Sequence, residues 1–175
     1  VRRQMRAAFL AYAIGNLTLI DTLPLWGITV LPTGYLWLTI SALILAFASP
    51  ELSIEAITTV AGNVPVAQAA RNVCLLLELL DPHPRPPVAK GAAHPMTRPL
   101  HTALNYHGED GLGELVRFNT EKGLPRYPEP QQLFATQSAS ALIAKRIGAA
   151  PGEIVVICLG PLTNLAIAIQ AAPTE

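Results

Sequence analysis

Ile57-Thr58-Thr59-Val60-Ala61-Gly62-Asn63 is the stretch that decides how this chain folds. It continues the run Leu52 to Ala56, is rich in β-branched residues, and breaks at Gly62-Asn63 just before a helical pattern begins, so it predicts a strand running into a loop. In a parallel α/β sheet, ligands sit beyond the carboxyl ends of strands. Asn63, on a glycine-loosened turn at such an end, is placed to hold a small polar ligand. The commoner role for such a residue is a helix cap: Asn is a favoured N-cap and Pro65 a favoured first-turn residue, so Asn63 would cap a helix starting at Val64. Spacing alone leaves both roles open.

Downstream, Val64 to Leu80 repeats apolar residues at Val66, Ala70, Val73, Leu77 and Leu80, the period of a helix with one face on a sheet. Asp81 to Pro99 is broken by prolines and leaves room only for a brief strand near Val88-Ala89. His107-Gly108-Glu109-Asp110-Gly111-Leu112-Gly113 is a polar, glycine-rich string that does not match a dinucleotide fingerprint. It is expected either as a loop with solvated acids, the commoner meaning, or as a pocket wall. Thr136 to Ile147 predicts a helix with Lys145 and Arg146 in its last turn and Gly148 as C-cap. Glu153 to Leu159 is nearly all apolar, as in a strand covered on both faces, and Gly160-Pro161 opens another helix with Pro161 at its first position. Strand, helix, strand, helix gives an α/β fold, a mostly parallel sheet with helices on both faces.

Upstream, residues 1–40 form an atypical apolar segment. After Arg2, Arg3 and Arg6, the only charged residue before Pro50 is Asp21. Residues 7–48 could on hydropathy serve as a membrane anchor, and the basic start followed by Ala7 to Ile14 has the form of a secretory signal. Pro24, Gly27, Pro32 and Gly34 interrupt any such span. From Ser41 the composition settles into a short buried helix ended by Ser49-Pro50.

The 175 residues carry a formal net charge of zero, and no basic stripe is interleaved with aromatics, so nucleic acid is not an expected partner. Cys74 and Cys158 lie in apolar runs and are expected as buried thiols in a reducing compartment. A cytoplasmic location follows, with membrane association or secretion through the apolar segment as the alternative. The sequence contains no G-x-S-x-G elbow, no phosphate-binding G-x-x-x-x-G-K loop and no H-E-x-x-H pair, which disfavours a serine hydrolase, a P-loop enzyme and a zinc protease. Oxygen-rich loops at strand ends suit a hard cation or a sugar better than a soft metal.

Taken in order, Ser49-Pro50-Glu51-Leu52, Ile57 through Asn63, Arg71-Asn72, His107 through Gly113 and Gly160-Pro161-Leu162-Thr163-Asn164 resemble the inosine-uridine preferring nucleoside hydrolases. The resemblance covers residues 41–175 and implies a Rossmann-like nucleoside hydrolase domain, incomplete at its carboxyl-terminal end. It implies hydrolysis of the N-glycosidic bond of a ribonucleoside, purine or pyrimidine, to free base and ribose in a Ca2+-dependent site. It further implies that Asn63 contacts the ribose, that His107 lies near the base, and that the main-chain carbonyl of Leu159 ligates the metal. The full-length protein could be a homo-oligomer; nothing in the sequence sets its oligomeric state.

One block departs from the family pattern. Leu19-Ile20-Asp21-Thr22 looks like the start of the family's Asp-Thr-Asp-Pro-Gly-x-Asp-Asp metal motif, but Leu23 to Ile40 follows without a carboxylate. Asp21 is then the only candidate carboxylate ligand, and one carboxylate cannot build a calcium site of ordinary affinity. We hypothesise that residues 23–40 are a gene-model fault, translated intervening sequence or misplaced splice boundaries, that replaces the metal-binding loop; sequencing the mature transcript across those codons tests it, and their retention would count against it. The chain as it stands is expected to lack substantial hydrolase activity, with no catalytic residue assigned. A non-catalytic nucleoside-binding or interaction module and a membrane-anchored α/β domain are the competing readings.

Overall fold

The structure is a computed structural model and describes residues 5–10, 34–127 and 129–172. Asp21, the aspartate-motif remnant around it and most of the uncharged segment after it lie outside the described residues. The element order is β1 (Met5–Leu10), α1 (Gly34–Ala48), β2 (Leu52–Thr59), α2 (Val66–Leu80), β3 (Val88–Lys90), α3 (Leu104–His107), α4 (Ala139–Ala149), β4 (Ile154–Cys158) and α5 (Thr163–Ala171). The described strands form one sheet in the order β3-β2-β1-β4. Every pairing is parallel, so all strand carboxyl ends share one edge.

Alternation along β2 makes this sheet two-faced. Ile57 joins Leu43 and Ala46 of α1, Val73, Leu76 and Leu77 of α2 and Val88 of β3 in one apolar cluster. Its neighbour Ala56 points the other way, onto Ala89 of β3 and Ala139 and Leu142 of α4. A third cluster joins Ile143 of α4 to Ala168 of α5, with Val156 and Cys158 of β4 packed against it. Each fully buried Leu or Ile in these clusters contributes about 1.5–3 kcal/mol of transfer free energy. The expected helices on both faces are therefore present. Glu55 on β2 also pairs with Arg146 of α4 at 3.8 Å, so that arginine ties helix to sheet as well as completing a basic last turn.

Several local expectations are corrected. The apolar start proposed as a signal or anchor contains β1, the strand between β2 and β4. Its composition is that of a parallel strand, which hydropathy cannot separate from a targeting core. Helix α1 begins at Gly34 rather than Ser41, crossing the boundary drawn at 40/41, and its outer side is exposed at Ile44 and at Leu45, which is 68% accessible. Among the described residues no helix is long and apolar enough to cross a membrane. Strand β4 is the last strand of the described sheet, and its Val155 is 44% exposed, so among the described residues nothing covers that face of it. Helix α4 runs through Gly148 and ends at Ala149, with Ala150 as its cap, because the Ala150 amide still reaches Ile147 O. Helix α5 begins at Thr163, two positions beyond Pro161. Cys158 is only half-buried, whereas Cys74 is fully enclosed.

Candidate functional site

Asn63 does not cap α2. That helix starts at Val66, its capping position is Pro65 with extended backbone, and no side chain bonds its first turn. The Asn63 side chain instead reaches His107, donating its Nδ2–H to Nε2 at 2.9 Å across 44 positions of sequence. The backbone ties the same two segments together: the Ala103 amide donates to Asn63 O at 2.8 Å, and the His107 amide donates to Ala103 O at 3.0 Å. The ring of His107 is buried at 6% exposure, and burial holds its pKa below the ordinary 6.5. A neutral imidazole accepting at Nε2 carries its proton on Nδ1.

The loop after His107 is built around Asp110. Its carboxylate accepts the amides of Leu112 and Glu114 at 2.8 Å and that of Leu115, an arrangement that closes the turn from within. Asp110 is buried; only Glu109 of the two acids faces solvent, which corrects the expectation of two solvated acids. From α2, Asn72 donates to Asp110 O at 2.8 Å while accepting from Gln68 at 2.9 Å. Gly111 sits at φ +66, and a Cβ there would run into Val64 Cγ1, so the loop lies directly on the segment following Asn63. Arg71, next to Asn72, forms a forked ion pair with Glu129 that holds the proline-rich connection against α2.

Across β1, the carboxyl end of β4 carries Leu159 and then the buried Gly160. Two strand spacings put it about 10 Å from the end of β2. This is the point where the strand order reverses, the usual crevice of an open α/β sheet. Asn164, in the first turn of α5, is 3% exposed and clamps the edge: Nδ2 donates to Thr59 O at 2.8 Å and Oδ1 accepts the Ala92 amide at 2.9 Å. A Cβ on Gly91 would collide with Asn164 and with Thr59 O, so glycine is required where the β3 loop passes. Beside Asn164 lies a shallow recess lined by Val60, Cys158, Gly160, Pro161, Leu162 and Leu165.

The profile of the inosine-uridine preferring nucleoside hydrolases matches residues 39–175. The chain belongs to that family. It is 36% identical over 130 residues to uridine nucleosidase 1 of Arabidopsis thaliana, covering 74% of this chain and 35% of that protein. It is 41% identical over 134 residues to a pyrimidine-specific ribonucleoside hydrolase, RihA, of Salmonella enteritidis, covering 75% of this chain and 39% of that one. A plant nucleoside hydrolase structure superposes with a TM-score of 0.71 at 28% identity, over 98% of this chain and 44% of its own. The chain thus spans between a third and a half of the length of these nucleoside hydrolases.

Of the residues expected to form the site, the fold brings Asn63 and His107 into contact and places Leu159 on the same sheet edge. Asn72 and Asn164 stood in the family-like blocks without a role, and Asp110 only as an acid of the loop or pocket wall. For Asn72 the signal was available: an Asn inside a helix is a poor helix former and needs a partner. Among the described residues, no group of three or more His, Cys, Asp or Glu side chains could hold a metal ion. Calcium needs six to eight oxygens, so these residues do not by themselves fit it.

Proposed function

We propose that this chain supplies the nucleoside-facing wall of a ribonucleoside N-ribohydrolase. In that reaction water adds to C1′ of the ribose as the C–N bond breaks, and the base leaves with a proton. The observation that supports the reading is the contact between Asn63 and His107, which presents a fixed polar pair at the carboxyl end of β2. In this arrangement Asn63 faces the ribose and His107 the base side. The Leu159 carbonyl and Asp21 are the atoms this chain would offer toward a divalent cation. The described residues supply no carboxylate cage for it.

The same shortage favours a narrower reading for the 175-residue chain by itself, nucleoside binding without turnover. Uridine is the first ligand to try, because relatives at 36% and 41% identity carry uridine- and pyrimidine-directed names. Titration calorimetry of the purified chain with uridine and inosine, alongside chromatographic assay of released base, tests both parts. Binding that weakens in Asn63→Ala, with base release at background, is expected. Absence of binding to either nucleoside would overturn the wall, and calcium-dependent release of base would overturn the inactivity.

A further inference from the structure

We propose that His107 is a positioning residue for Asn63: by accepting Nδ2–H at Nε2 it fixes the amide so that Oδ1, an acceptor, is the atom left for a ligand. The selected ligand group is then one that donates, such as a sugar hydroxyl; this last step rests on the nucleoside reading, whereas the lock itself does not. An asparagine amide has a donor end and an acceptor end of nearly the same shape, and only its neighbours decide which end faces outward. Here the neighbour is a nitrogen 2.9 Å from Nδ2.

The ring cannot easily turn away from this role. Its backbone amide is bound to Ala103 O and its carbonyl accepts from the Gly113 amide at 2.8 Å, while Ala103 is itself bonded to Asn63 O. Behind it, the turn is closed by Asp110 and anchored to α2 through Asn72. Among the described residues, the charged groups of the surrounding elements either have other partners or face solvent. Asp110 is occupied by backbone amides, Glu114 accepts the Glu109 amide and lies 3.6 Å from Arg117, and Arg71 is paired with Glu129. Glu109, His94 and His101 are exposed, and among the described residues no charged side chain hydrogen-bonds to the ring. Among the described residues, the imidazole therefore answers to Asn63 and to its burial.

A proton added at Nε2 would set two donors face to face. The amide must then turn over, giving Oδ1 to His107 and Nδ2 to the ligand. Acidification through the His107 titration thus exchanges an acceptor for a donor at the ligand position.

Nitrogen-15 NMR of the histidine-labelled 175-residue chain without ligand tests the lock, the His107 signal being assigned by its loss in His107→Gln. Near neutral pH the expected form carries its proton on Nδ1; a proton on Nε2 in the native chain would overturn the inference. In Asn63→Asp the carboxylate can only accept, so the proton is expected to move to Nε2 and the His107 pKa to rise. An unchanged tautomer there would also overturn it. Uridine affinity in the native chain should fall about five- to tenfold as pH drops through the His107 titration, the worth of one hydrogen bond, and stay flat in Asn63→Ala. Nδ1–H in a chain that binds no uridine would support the lock and overturn the nucleoside reading alone.

Discussion

Asn164 joins the end of β2, the loop after β3 and the start of α5, so its removal should be felt as stability. In Asn164→Ala, Thr59 O loses a buried donor at 2.8 Å and the Ala92 amide loses its acceptor at 2.9 Å. Leaving a buried group unpaired costs about 1–3 kcal/mol, and a half-buried bond is worth about 0.5–1.5 kcal/mol, which together give about 1.5–4.5 kcal/mol. With a urea dependence of about 2 kcal/mol per molar, the unfolding midpoint followed by far-UV circular dichroism should fall by about 1–2 M. Asn164→Asp discriminates the mechanism. It keeps an acceptor for Ala92 but sets an oxygen against Thr59 O in a buried place, so at neutral pH it should cost at least as much as the alanine. That cost should shrink as acid protonates the carboxyl and restores a donor. An alanine variant within about 0.5 kcal/mol of the native chain, or an aspartate variant as stable as native, would refute the clamp.

Gly111→Ala and Gly152→Ala both place a side chain at positive φ, but only the first meets Val64, so it should lose about 1–2 kcal/mol more in the same urea assay, and equal losses would show that the loop does not press on that segment. Arg71, through its hydrogen bonds and charge, holds the Glu129 carboxyl below its ordinary 4.5. The pair's stabilisation is therefore present above that value and lost as pH falls through the lowered pKa. Because Glu129 is largely exposed, Glu129→Gln should cost no more than about 1 kcal/mol at pH 7, and the difference from native should shrink towards zero in urea titrations as acid protonates the carboxyl; a gap that persists once it is protonated would point to packing instead. Burial raises both thiols, but Cys158 is partly open and Cys74 is not, so iodoacetamide under native conditions should label Cys158 first, with Cys74 reacting only on unfolding, as read by mass spectrometry; the reverse order would contradict the packing of α2.

Local pattern was enough to determine the α/β class, the strand at Leu52–Thr59, the brief one at Val88–Lys90, the helix that follows Asn63 and the strand before Leu159. These follow from β-branched runs, helical periodicity and proline breaks, which act over a few residues. The family was legible for a related reason: its blocks are short and keep their order along the chain. What sequence could not fix was decided by partners distant along the chain. Whether Met5–Leu10 is a targeting core or a strand depends on β2 and β4 flanking it, since composition is the same in both cases. Whether Asp110 is solvated depends on the turn closing around it. Asn63 shows the division most plainly. Its type and place at a strand end pointed to a cap or a ligand contact, and spacing could not separate them. Only the tertiary fold, by bringing His107 to 2.9 Å from its amide and setting Pro65 at the helix start, gave that amide a partner and left the cap without one.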